Sequence, residues 1–77
     1  MDFEFQIRLP SGEWHQLGVV ATPGDRFDID EAAVGLRDLR GGELPQGEYR
    51  ARASELEGSE WCPAEVDEHG VFRRLAP

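Results

Sequence analysis

The chain reads as an α+β fold, a mostly antiparallel β-sheet of about five strands with one short helix in the order ββ-α-βββ. A small β-barrel or sandwich is the alternative. Three observations carry this. The first nine residues alternate apolar and polar with period 2. Residues 29–40 form an apolar stripe between helix start and stop signals. Turn tetrapeptides rich in Pro and Gly divide the remainder into short segments.

In the first segment, Phe3, Phe5, Ile7 and Leu9 alternate with Asp2, Glu4, Gln6 and Arg8, as in a half-buried strand. Leu9-Pro10-Ser11-Gly12 has Pro at i+1 and Gly at i+3, a type I turn. A second strand follows over 14–21 and closes a hairpin. Its faces are mixed, with Leu17 and Val19 opposing Trp14 and Val20, so either both faces are partly covered or a bulge near Gly18 resets the register.

Thr22-Pro23-Gly24-Asp25 reads as a type II turn, and the helix follows. Asp28 is the N-cap with Glu31 three residues on, and Asp30 and Glu31 suit the positive N-terminus. Arg37 and Arg40 suit the other end, and Gly41-Gly42 supplies the stop. Ile29, Ala32, Ala33, Leu36 and Leu39 make the stripe. Gly35 weakens the helix by about 1 kcal/mol relative to Ala.

After the Leu44-Pro45-Gln46-Gly47 turn, strands are predicted over 48–54, 60–66 and 71–75. Tyr49, Ala51 and Ala53 share one face of the first, and Glu48, Arg50 and Arg52 the other. Pro63 cannot donate to a ladder, which places its strand at an edge or puts a bulge there. Asp67-Glu68-His69-Gly70 is a type I turn, with His69 read as a residue tolerating unusual backbone angles. Residues 1–77 make a single domain without linker or repeat.

Two runs, Leu44 to Ala53 and Ser59-Glu60-Trp61-Cys62-Pro63-Ala64-Glu65-Val66, resemble the last two strands of a fibronectin type III module. That family has a Leu-Pro-x-Gly-x-Tyr turn before one strand and a Trp-Ser-x-Pro run opening the last. The resemblance implies a β-hairpin here, and the helix at 29–40 departs from the family pattern.

Seventy-seven residues bury a thin core and leave little room for an enclosed catalytic pocket. A nucleophilic thiolate needs a neighbouring cation, and the residues around Cys62 are Glu60, Glu65, Asp67 and Glu68 instead. Cys62, His15 and His69 match no metal-ligand spacing. No Gly-rich phosphate loop precedes the helix, and nothing marks a carboxylate as buried. The expectation is a protein that is not an enzyme, with no catalytic residue, cofactor or metal. The first residues lack a basic or apolar leader and no run is long enough to span a membrane, which predicts a cytoplasmic protein, in a host cell if it is viral.

The charge is the functional signal. Sixteen Asp and Glu stand against eight Arg and no Lys, a net charge of −8. Such a chain repels nucleic acid and anionic membrane and attracts basic proteins. Glu55, Glu57, Glu60, Glu65, Asp67 and Glu68 are six acids within fourteen residues, and they are the candidate partner-binding residues. Acids two apart on a strand lie about 6.6–7 Å apart, close to the spacing of neighbouring phosphates. One reading is therefore an acidic inhibitor or nucleic-acid mimic that blocks a basic surface of a partner protein. In composition it resembles phage-encoded anti-CRISPR and anti-restriction proteins. Against it stand a solvated acidic face that only keeps the domain soluble and an assembly module, a virion component or accessory subunit, joined through a strand edge or apolar patch. Trp14 and Trp61 are either interface anchors or core, and a chain this short of apolar mass favours core.

Overall fold

The period-2 alternation becomes strand β1 (Asp2–Arg8), with Phe3 and Phe5 wholly buried and Ile7 nearly so. The computed structural model describes residues 1–54 and 58–75. Leu9 does not continue the buried face. It falls in the turn and is 38% exposed, because its amide is held by Glu13 O at 2.8 Å and the chain is already reversing. Gly12 N donates to Leu9 O at 2.8 Å, closing the expected turn.

β2 (Trp14–Ala21) pairs antiparallel with β1 through a bulge. Gly18 faces Phe5 and Gln16 faces Gln6, which leaves Leu17 as the extra residue. The bulge explains the mixed faces. Val20 comes after the shift and points inward, Leu17 packs against the core, and Trp14, before the shift, lies on the other side.

Helix α1 (Ile29–Leu39) starts where Asp28 Oδ1 accepts from Glu31 N at 3.1 Å. It stops in a Schellman arrangement, with Gly42 N donating to Arg37 O at 2.8 Å and Gly41 N to Asp38 O at 3.2 Å, both glycines at positive φ. Ile29, Ala32, Ala33 and Leu36 are buried, but Leu39 is 71% exposed. Ten residues at 100° each set Leu39 about 80° from Ile29, beyond the edge of the buried stripe.

Three strands complete the chain: β3 (Gly47–Ala53), β4 (Cys62–Val66) and β5 (Phe72–Arg74). The last two are shorter than predicted. Among the described residues the sheet is single, open and antiparallel throughout, in the order β2-β1-β3-β4-β5. It is neither a barrel nor a sandwich. β3 and β4 form the hairpin that the fibronectin resemblance implied, and the Tyr49 hydroxyl donates to Pro45 O at 2.6 Å. This bond back to the turn ties the start of β3 down.

β4 lies between β3 and β5, so Pro63 is on an interior strand with no bulge recorded. Its carbonyl accepts from Leu75 N at 3.0 Å, so the missing N–H would also have faced β5, whose ladder ends at Arg74. The proline is tolerated because the neighbouring strand is short. In the β4–β5 turn, Gly70 carries the positive φ and His69 does not. Asp67 makes the turn: Gly70 N donates to Asp67 O at 3.0 Å, while Asp67 Oδ1 accepts from His69 N at 2.8 Å and Val71 N at 3.0 Å.

The helix lies on one face of the sheet, against Phe3, Phe5, Tyr49, Ala51, Ala53, Ala64 and Val66. Phe72 joins this core edge-on to Phe5 (6.0 Å) and Tyr49 (6.2 Å), and its neighbour Val71 is left outside. Each large side chain so buried contributes about 1.5–3 kcal/mol. Alanines at 32, 33, 51, 53 and 64 keep the two layers close.

Candidate functional site

The helix covers one face of the sheet, so the other face and the loops at the sheet ends are where side chains meet solvent. That outer face holds both tryptophans. Trp14 and Trp61 are half-buried and are not part of the core. The Arg50 guanidinium lies 4.3 Å from the Trp14 ring centroid and 4.2 Å from that of Trp61, and Arg52 lies 4.2 Å from Trp61. Arg50 Nε also donates to Gln6 Oε1 at 2.7 Å, Gln6 Nε2 to Gln16 Oε1 at 3.2 Å, and Arg52 is paired with Glu4. The rungs Gln6↔Arg50 and Glu4↔Arg52 set these partners directly opposite one another. The alternation of Glu48, Arg50 and Arg52 had signalled a polar outer face. That this face would be covered by tryptophans stacked on the arginines was not visible, since the partners come from three separate strands and the loop before β4.

The six predicted acids divide into groups. Glu55 and Glu57 lie outside the described residues. Glu60 precedes β4 and is exposed. Asp67 and Glu68 follow the other end of β4, separated from Glu60 by the strand's five residues, about 16 Å at a rise of about 3.3 Å per residue. Glu65, Asp67 and Glu68 are therefore brought together, and Glu60 is not.

Two acids that the sequence reading had not singled out as partner-binding join that end. Glu48 stands directly opposite Glu65 across β3 and β4. Like charges facing each other destabilise a sheet, and here each is drawn outward by an arginine, Arg8 on Glu48 at 3.4 Å and Arg73 on Glu65 at 3.0 Å. Arg73 also stands 3.9 Å from Asp67, so Glu65 and Asp67, two residues apart, share one of the protein's own cations. Glu43, in the loop after α1, is the other addition.

The Asp67 carboxyl is lowered from its ordinary value, chiefly by the Val71 amide, with desolvation opposing and the His69 amide and Arg73 adding smaller lowering effects. It is ionised, and its charge serves the turn. Glu68 and His69 are both exposed and 3.5 Å apart. Between this turn, α1 and the loop after the helix runs an open cleft of about 680 Å³, bordered by Asp30, Glu43, Asp67 and Glu68, with Val34 and Val71 on its apolar rim. Arg37, also lining the cleft, donates from Nη2 to Gly70 O at 2.8 Å. A more open groove of about 530 Å³ on the other side of the turn is bordered by Glu48, Glu65, Asp67 and Glu68.

Among the described residues no group of three or more His, Cys, Asp or Glu is arranged to hold a metal ion, and no helix is long and apolar enough to cross a membrane. Cys62 is half-buried against the core and lies opposite Ala51. The chain matches no known protein family, curated protein or solved structure. Its chemistry therefore rests on this geometry: an outer face of stacked Trp and Arg, and an acidic end around the β4–β5 turn.

Proposed function

We propose that this chain is a non-catalytic binding protein whose acidic end docks on a basic surface of a partner protein, in the manner of an inhibitor that occupies such a surface. The observation that carries the reading is the gathering of Glu43, Glu48, Glu65, Asp67 and Glu68 from three parts of the chain around one turn, in a protein of net charge −8. Val34, 56% exposed, and Val71, 48% exposed, add apolar contact beside the carboxylates. A basic segment with aliphatic stems has the matching chemistry.

Literal imitation of a phosphate row has less support. Glu65 and Asp67 already share Arg73, and Glu60 lies at the far end of β4. Docking on the exposed Glu43 and Glu68, with the others as a surrounding negative field, is the form the geometry favours. An assembly module remains as a second reading because β2 is an eight-residue edge strand without a charged side chain.

Capture of partners from the native host at two salt concentrations tests the proposal. Retention should weaken roughly tenfold or more from low to high salt. The double variant Glu43→Gln with Glu68→Gln should weaken it further, and Glu60→Gln should not. Retention indifferent to both salt and the double variant would remove the basis of the reading.

A further inference from the structure

β2 is the edge strand on the side of the sheet away from β4 and β5. Edge strands of this length are ordinarily guarded by charges, by proline, by a covering loop or by a bulge, and of the sequence-borne guards β2 has only the bulge at Leu17. Residues 14–21 hold no Asp, Glu, Lys, Arg or Pro, in a chain where 31% of residues are charged. Val19 on this strand is 51% exposed.

The backbone of β2 has an unusual phase. Thr22 N donates to Met1 O at 2.9 Å, so at that end alternate residues Val20 and Gly18 turn toward β1, while Ala21 and Val19 turn away. At the other end Leu9 N donates to Glu13 O at 2.8 Å, so His15 turns toward β1, while Trp14 and Gln16 turn away. The bulge at Leu17 joins the two phases. The outward groups therefore belong to Trp14, Gln16, Val19 and Ala21, with a step of three residues in the middle where a regular strand has a step of two.

We infer that β2 pairs antiparallel with β2 of a second copy of this chain, joining two sheets into one about a two-fold axis between Leu17 and Gly18. A regular strand from another protein cannot follow the three-residue step without a bulge of its own. A second β2 has the same step at the same place. Across the two-fold, Trp14 meets Ala21 and Gln16 meets Val19, so every outward residue faces an outward residue. The contact is free of charge, and the acidic ends at β4 and β5 lie at the far sides of the joined sheet. Leu39, 71% exposed, projects from the same side of α1 as Gly35, whose own Cβ position abuts Val20 of β2, and so lies toward the shared edge.

This self-pairing stands apart from docking at the acidic end, and salt separates them. Screening of two like-charged bodies strengthens the dimer as salt rises, the reverse of the partner binding above. Sedimentation equilibrium of the full chain from micromolar to millimolar concentration should show a dimer that tightens with salt. Val19→Pro removes an outward amide that β1 does not use, and should raise the dissociation constant roughly a hundredfold or more with the far-UV spectrum unchanged. If that variant fails to fold, Val19→Lys places a guard charge at the same spot, and hydrogen exchange of the wild type supplies a further reading. The amides of Trp14, Gln16, Val19 and Ala21 should become protected as concentration rises. A wild type that stays monomeric, a Val19→Pro or Val19→Lys protein that dimerises as tightly as wild type, or protection of these amides only when a foreign peptide is added would each overturn the inference.

Discussion

Arg50 lies over the Trp61 ring at 4.2 Å and is held in place by Gln6 Oε1 at 2.7 Å, on the face of the sheet opposite the helix. The guanidinium thus lies between two indoles, with Trp14 of β2, across β1, at 4.3 Å. A half-buried cation–π contact is worth about 0.5–2 kcal/mol, and the planar group also packs on the ring. This cluster gives the outer face of a thin sheet a second, smaller layer of packing.

Arg50→Lys keeps the charge and loses both the guanidinium contact with the two rings and the Nε donor to Gln6. A loss of about 1 kcal/mol is expected, and Trp61→Ala, which frees Arg52 as well, should lose about 2 kcal/mol. Urea unfolding followed by circular dichroism measures both. Equal stability of wild type and Arg50→Lys would show that the stack is only a surface coincidence.

Gly35→Ala opposes two effects. Helix propensity alone predicts a gain of about 1 kcal/mol. A Cβ at Gly35, however, meets Val20 Cγ1 at 2.8 Å, and Val20 is itself 5% exposed. The overlap wins, with a net loss of about 1–2 kcal/mol. Pairing the change with Val20→Ala should recover part of it in a double-mutant cycle. A rise in Tm for Gly35→Ala alone would contradict the close contact.

Tyr49→Phe removes the hydroxyl that donates to Pro45 O, for a loss of about 1 kcal/mol. Burial pushes the Tyr49 phenol up from 10.0 to about 12, with Arg40 opposing. The folded state prefers the neutral phenol, so the contribution is complete below pH 10 and is lost as pH rises through about 12. Alkaline melts of wild type should therefore fall in that window, and Tyr49→Phe should lack this part of the decline.

Asp67 titrates in the opposite sense. Its folded pKa is depressed, chiefly by the Val71 amide, so the turn is stabilised above the ordinary carboxyl pKa of 3.8 and weakens as pH falls below it. Asp67→Asn keeps an acceptor for the Val71 and His69 amides but cannot be protonated. Its acid unfolding limb should be shallower than that of wild type, and unchanged acid limbs would exclude a role for the carboxylate in holding the turn.

The elements whose causes are local were legible in the sequence. Phe3, Phe5 and Ile7 declare β1 through their spacing. Asp28 and Gly41-Gly42 mark the ends of the helix, and Asp67 and Gly70 mark the last turn, because caps and turns are satisfied within four or five residues. The signed charge of the chain was equally plain. What the tertiary structure alone decided is which surfaces meet. Trp14 lies outside because of a one-residue bulge, and Trp61 because two arginines on another strand draw it there. Pro63 is interior because β5 pairs with β4, and it is tolerated there because the β5 ladder is short. Gly35 is a contact as well as a weak helix former, and Glu48 finds Glu65 across a hairpin. Each of these depends on groups brought together from separate strands and loops, whose positions follow from packing the whole sheet under its helix. No pattern within one segment encodes them.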